Sequence, residues 1–139
     1  MPKIVIQKWY RRIMCVKGKV LKKLGNLKIM IGVIEMANAV FLNLYKLKKG
    51  VNVEDFKVVA KRLVDEEISK NKGFVSSTLM VDGDSWVDTI VFETKDDLVA
   101  FEEGAKKPSE LANQFYSHIN FMAKGNTLKR LLVVNHVDK

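Results

Sequence analysis

From Phe74 to Phe92 the chain reads FVSSTLMVDGDSWVDTIVF, the segment that is most informative about its fold. Two runs rich in β-branched and aromatic residues, Phe74 to Val81 and Trp86 to Phe92, flank the residues Asp82-Gly83-Asp84. An Asp-Gly pair between two such runs is typical of a tight turn between antiparallel strands. The sequence therefore predicts a β-hairpin in the middle of the chain.

A strand and a long helix are predicted before this hairpin. From Ala39 to Tyr45 apolar side chains occupy both parities of an alternating pattern, which indicates a strand covered on both faces. Asn52 and Asp55 then resemble a helix-capping pair, and Gly73 ends the segment. The helix is predicted through about Lys70, with an apolar stripe of Phe56, Val59, Ala60, Leu63 and Val64.

Two helices and a last strand are predicted after the hairpin. Thr94 and Asp97 form a second capping pair, and proline is favoured in the first turn of a helix, so a further helix should begin near Pro108. This helix is predicted to end at Gly125, with a stripe of Leu111, Phe115, His118, Ile119 and Met122. The last strand is predicted over Leu128 to Val137.

The order of these elements is strand, helix, strand, strand, helix pair, strand. It predicts an α+β fold of the ferredoxin-like βαββαβ type, with a four-stranded antiparallel sheet and the helices on one face. Because the first and last strands are apolar on both sides, the bare face of the sheet needs an apolar cover. The simplest cover is the sheet of a second copy of the chain.

The basic charge of the chain lies at its start. Met1 to Ile34 contains nine Lys and Arg and no acidic residue, whereas Met36 to Lys139 contains fifteen basic and fifteen acidic residues. We therefore divide the chain into a basic extension, 1–35, and one domain, 36–139. The net charge of +8 does not indicate nucleic-acid binding by that domain.

Three interpretations of residues 1–35 stay open. They could be translated leader ahead of a true start at Met36, a transit peptide, or a basic amphipathic helix that contacts a membrane, nucleic acid or an acidic partner. The single cysteine, Cys15, excludes an internal disulfide and agrees with the reducing cytoplasm, which is the expected location. The sequence has no phosphate-binding loop, zinc pattern or serine-hydrolase motif, which disfavours these three chemistries.

Two passages carry a resemblance to a known group of proteins. They are the hairpin Asp82-Gly83-Asp84-Ser85-Trp86-Val87-Asp88 and the strand-to-helix passage from Val91 to Phe101. With the order of elements, they resemble the dimeric α/β barrel superfamily over Ala37 to Val137, nearest to its antibiotic-biosynthesis-monooxygenase-like members. The resemblance implies a homodimer with sheets packed back to back and a pocket between sheet and helices. Members include cofactor-free oxygenases of aromatic polyketides, haem-degrading oxygenases, isomerases and proteins without known activity.

A resemblance to the haem-degrading branch implies Asn on the first strand, Trp on the helix after the third strand and His on the next helix. Asn43 and His118 match this pattern, but Phe101 stands at the Trp position, and its distance from His118 along the chain is longer than in that branch. The expected cofactor is therefore none, and haem is the alternative.

The candidate catalytic residues are His118, Asp88 and Asn43. Histidine exchanges a proton near neutral pH, and a carboxylate beside aromatic rings can have a raised pKa and act as a base. Asn43 could polarise an oxygen atom of a ligand. Each has a structural alternative: a histidine at the core margin, a solvent-facing edge carboxylate and an asparagine bonded to a neighbouring strand. The candidate ligand-binding residues are Trp86, Phe92, Phe101, Tyr45 and Phe115, with Tyr116 framing the same cavity.

From these residues we expect a homodimer that binds a small apolar or aromatic ligand. If the protein is an enzyme, the expected class is a cofactor-independent monooxygenase or a related proton-transfer enzyme. The alternatives are a dimer without catalytic activity and a haem-binding or haem-degrading protein.

Overall fold

The computed structural model of the chain describes residues 37–139. The expectations for residues 1–35, Met36 and Cys15 therefore lie outside the described residues. Three helices and five strands are present in the described range, in the order β1 Ala39–Leu47, α1 Val53–Glu66, β2 Phe74–Asp82, β3 Ser85–Phe92, α2 Lys95–Ala105, α3 Glu110–Ser117, β4 Ile119–Asn120 and β5 Thr127–Leu132.

The strands form one antiparallel sheet in the order β2-β3-β1, with β4 and β5 both paired to the other side of β1. This order confirms the predicted α+β, ferredoxin-like fold. The sheet has five strands instead of four because the edge position beside β1 is divided into two short strands. The hairpin is also confirmed, with Asp82 opposite Ser85 across a turn in which Gly83 has a φ of 60°.

The helix starts follow the capping patterns of the sequence. The side chain of Asn52 accepts a 3.1 Å hydrogen bond from the Asp55 backbone N–H, and Thr94 Oγ1 accepts one of the same length from Asp97. Such caps satisfy backbone donors that have no partner inside the helix. At α3 the cap is Ser109, which accepts from the backbone N–H of Ala112 at 3.0 Å.

The predicted ends of three elements are wrong, and pairing with strand β1 explains two of these differences. The helix expected to reach Gly125 ends at Ser117, because the chain then pairs with β1: Ile119 lies opposite Leu47, and Lys48 N donates to His118 O at 2.9 Å. The last strand ends at Leu132 instead of Val137: Leu132 lies opposite Ala39, where β1 begins, and one more backbone hydrogen bond, from Val133 N to Asn38 O at 2.9 Å, follows. The first helix ends at Glu66 and is followed by a 3-10 turn over Ile68–Lys70.

All three helices lie against one face of the sheet, as predicted. The core there has two clusters, one around Phe56 and one around Phe92, and neither of these rings has any exposed surface. Full burial of such a side chain contributes about 1.5–3 kcal/mol. Tyr45 of β1 belongs to the first cluster and is 2% exposed, which fixes its ring between Phe56 and Phe115.

The opposite face of the sheet carries the other parity of each strand. On β1 and β3 it presents paired apolar side chains, with Val40 opposite Val91 and Leu44 opposite Val87. Within residues 37–139, no helix packs on this face, which we call the outer face. None of the described helices has the length and apolar character required to cross a membrane.

Candidate functional site

A cavity of about 990 Å³ lies between the sheet and the helices. Its walls are mostly apolar, and they come from β1, β2, β3, α1, α3 and the segment from Ile119 to Leu128. The apolar lining includes Phe41, Leu63, Leu79, Ile90, Phe115 and Ile119. Cavities of this size and character accept small organic ligands of drug-like dimensions.

Asp88 is the carboxylate inside this cavity. It lies on β3, which pairs with β2 on one side and β1 on the other, so its strand is central and not an edge. Tyr45 Oη donates a 2.8 Å hydrogen bond to Asp88 Oδ2. The alternative of a solvent-facing edge carboxylate therefore does not describe Asp88.

Burial changes the acidity of both partners of this hydrogen bond. Loss of water contact raises the pKa of Asp88 from 3.8 to about 6, and the bond from Tyr45 opposes that rise. Burial, and then the charge of Asp88, raise the pKa of the Tyr45 hydroxyl, so this hydroxyl keeps its proton. Asp88 is thus a carboxylate that exchanges a proton close to neutral pH, as a general base requires.

Asn43 and Tyr116 are two further polar residues that line the cavity. Asn43 lies directly opposite Asp88 in the β1–β3 register, and both side chains line the cavity. Within residues 37–139, the amide of Asn43 makes no hydrogen bond, so it can donate to a ligand. Tyr116 also lines the cavity, and burial followed by the charge of Asp88 raises the pKa of its hydroxyl.

The structure brings some of the candidate residues together and separates others. Asp88, Asn43, Tyr45 and Phe115 line the cavity. Trp86 instead packs against Phe56 in the first core cluster, with ring centroids 5.1 Å apart. Phe92 and Phe101 contact each other in the second cluster, with ring centroids 5.2 Å apart.

His118 lies at the end of α3 and does not line the cavity. Its Nδ1 is 2.8 Å from the carbonyl oxygen of Gln114, and its ring is tilted against Phe56 at 5.8 Å. These contacts match the structural alternative of a histidine at the core margin. Phe101, which stands at the Trp position of the haem-degrading pattern, lies in the second cluster, so the three residues at the positions of that pattern do not line one cavity.

Several lining residues could not be identified from the sequence. Leu79 and Ile90 alternate with outward-facing neighbours as in any strand, and only the sheet register places them beside Asp88. Asn126 enters from the loop before β5, where its Nδ2 donates to Asn120 O at 2.8 Å. The available signal in the sequence was the alternation of side chains along β3, because it places Asp88 and Ile90 on the same face of the sheet.

Three lysines line the exposed part of the cavity, which we call its mouth. Lys57 and Lys61 of α1 and Lys106 of the α2–α3 connection line it, together with one acidic residue of α1, Asp65. Their side chains are half to three-quarters exposed. Among the described residues, no group of three or more His, Cys, Asp or Glu side chains forms a metal site.

Comparison with known proteins identifies the fold. No family model and no curated protein matches the sequence. Among solved structures, the chain is similar to a monooxygenase from the gene ActVA-Orf6 of Streptomyces coelicolor, in complex with nanaomycin D: 16% identity, TM-score 0.57, covering 75% of this chain and 94% of that one. It is also similar to SnoaB, a cofactor-independent oxygenase from Streptomyces nogalater: 20% identity, TM-score 0.51, covering 73% and 96%.

A third similar structure is a conserved protein from Methanosarcina mazei, at 11% identity and a TM-score of 0.52, with 72% of this chain and 96% of that one covered. The resemblance to antibiotic-biosynthesis-monooxygenase-like proteins is thus confirmed for the fold. At these identities the fold does not define the reaction, which has to be inferred from the cavity.

Proposed function

We propose that the protein binds a small aromatic phenol between its sheet and its helices and oxygenates it without a cofactor. The observation that carries this proposal is the Asp88–Tyr45 pair inside an apolar cavity of about 990 Å³. The apolar walls suit an aromatic ring, and the raised pKa of Asp88 suits a base that acts near neutral pH. The oxygenase names of two proteins with this fold agree with that chemistry.

In the proposed reaction, Asp88 removes a proton from the phenol or from its keto tautomer. The amide of Asn43 donates a hydrogen bond to the oxygen on which negative charge develops, and this stabilises the ligand anion. Dioxygen is the co-reactant and accepts electrons from that anion. Where the reacting carbon is a ring CH₂ group, one atom of dioxygen becomes the carbonyl oxygen of a quinone. The other atom leaves as water, together with the two hydrogens of that CH₂ group.

The test uses the full chain and anthrone, whose enol tautomer is an aromatic phenol. We expect consumption of one dioxygen per anthraquinone formed, with the rate unchanged by a chelator. Asp88→Asn should lower the rate on the order of 10²–10⁴-fold, as expected for loss of a general base. Saturable binding of anthrone without oxygen consumption would instead support a binding protein without catalytic activity, and absence of binding would contradict both.

We also propose that the protein is a homodimer joined through the outer face. Apolar side chains of β1 and β3 lie there in register, and Met80 and Leu131 extend the patch onto β2 and β5, each more than 40% exposed. The patch covers part of the face, because Leu42 lies between Thr89 of β3 and Lys129 of β5. A contiguous exposed apolar patch with polar neighbours is typical of an interaction site. A second copy offers a matching apolar sheet, and one two-fold axis would cover both faces.

A further inference from the structure

The cationic side chains that line the cavity lie at its exposed part. They are three lysines, each beside one carboxylate of Glu54, Asp65 or Glu103, whereas Asp88 is the half-buried acid of the lining. Lys57 and Lys61 are four residues apart on α1, which places them on one face of the helix above the cavity. Val64 continues the same stripe and also lines the cavity.

Within residues 37–139, each of these lysines makes one ion pair, with a carboxylate nearby in the sequence. Lys57 Nζ is 3.0 Å from Glu54 Oε1, Lys61 pairs with Asp65, and Lys106 Nζ is 2.9 Å from Glu103 Oε1. Such exposed pairs are weak, because water screens the charges and two flexible side chains must be ordered. A ligand anion can therefore take the place of the acidic partner at little cost.

The lining of the cavity thus combines exposed lysines, the half-buried carboxylate of Asp88 and many apolar side chains. The ligand could carry an anionic group in addition to its phenol. The ionised Asp88 would repel this group, and the lysines at the mouth would attract it. The aromatic part of the ligand would lie between the two, against Leu79, Ile90 and Phe115.

We propose that the ligand is an aromatic anion, with its phenolic end at Asp88 and a carboxylate or similar group held by Lys57, Lys61 and Lys106. This inference rests on the proposed function and adds the chemical class of the substrate. It also assigns these lysines a role in ligand selection and in attracting anions to the mouth.

The test compares two probes with the same ring system: a hydroxynaphthoic acid whose hydroxyl and carboxylate lie at opposite ends, and its methyl ester. Binding of each is measured by ring fluorescence at low and high salt. We expect the acid to bind about three- to tenfold more tightly than the ester at low salt, as one or two exposed ion pairs allow. The difference should shrink at 1 M salt, where the screening length falls to about 3 Å.

Two double variants locate the effect. Lys57→Gln with Lys61→Gln should abolish the preference for the acid and leave the ester's affinity unchanged. Lys70→Gln with Lys72→Gln removes the same charge from exposed positions outside the cavity lining, and should keep the preference. Gln and Lys have similar helix propensities, so folding is preserved.

The outcomes separate this inference from the proposed function. Equal binding of acid and ester to the unaltered protein would overturn the anion site while aromatic binding stands. An equal loss of preference in both double variants would overturn it too, since the effect would then come from net charge. If neither probe binds, the aromatic-binding function itself fails, and the anion site fails with it.

Discussion

Tyr45 and Asp88 are diagonal neighbours across β1 and β3, and the hydroxyl of Tyr45 donates a 2.8 Å hydrogen bond to Asp88 Oδ2. The Tyr45 ring is itself enclosed by Phe56 and Phe115, with ring centroids about 6 Å away. The orientation of the carboxylate is therefore set by the hydrophobic core and does not depend on a loop. A catalytic base needs this kind of preorganisation.

Tyr45→Phe should raise the pKa of Asp88 above about 6, because the lost hydrogen bond favours the ionised carboxylate while burial stays the same. Carbon NMR of the Asp88 carboxyl group during a pH titration measures this change. Tyr116→Phe is the matched control, since the Tyr116 hydroxyl makes no hydrogen bond to Asp88. An unchanged or lower pKa in Tyr45→Phe would show that the bond does not act on the carboxylate.

Asp88 should make the fold less stable as the pH rises. Its pKa is raised on folding, so its contribution to the free energy of unfolding is fully present below about pH 4 and is lost as the pH rises through about 6. The raised pKa corresponds to about 3 kcal/mol. Urea unfolding of the protein and of Asp88→Asn at pH 5 and pH 8 should show the variant gaining stability relative to the protein at the higher pH. A difference between the two that is the same at both pH values would contradict this.

Leu79→Trp should block the cavity. Leu79 lies opposite Asp88 in the β2–β3 register and lines the cavity, so a larger ring there occupies the ligand's space. We expect at least a tenfold loss of affinity for the aromatic probe, measured by fluorescence titration, with little change in stability. Val81 lies near the end of the same strand and is 54% exposed. Val81→Trp is therefore the control, and this variant should bind the probe with unchanged affinity.

His118→Ala should leave ligand affinity within about twofold of the unaltered protein. The ring contacts Phe56 and the Gln114 carbonyl and does not line the cavity, so its loss costs stability, on the order of 1 kcal/mol. Urea unfolding and titration of the same sample separate the two effects. A large loss of ligand affinity with unchanged stability would show that His118 contributes to ligand binding.

Leu42→Lys should dissociate the proposed dimer. Leu42 lies on the outer face of the central strand β1, and a buried unpaired charge on each subunit should weaken association on the order of a hundredfold or more. Light scattering at micromolar concentration measures the mass. Val58→Lys, on an exposed position of α1, is the control and should not change it. A monomeric unaltered protein would refute the dimer outright.

Much of the fold could be predicted from local patterns. The Asp-Gly turn between two β-prone runs predicts the hairpin, and the capping residues Asn52 and Thr94 mark two helix starts within one residue. The predictions from these features are correct because turns and helix caps depend only on nearby backbone groups. The end of α3 could not be predicted in this way, because the apolar stripe continues to Met122 while pairing with β1 takes over at Ile119.

The same division holds for the site. Local sequence patterns predict the first three strands, the helices that follow them, the caps at Asn52 and Thr94, and the parity that puts Asp88 and Ile90 on one strand face. The contacts of the folded chain are needed to place Asp88 half-buried beside Tyr45, Trp86 and Phe92 in the core, and His118 outside the cavity. The physical reason is distance along the chain: Tyr45 and Asp88 are 43 residues apart, and such contacts arise from strand register and helix packing, which local periodicity does not record.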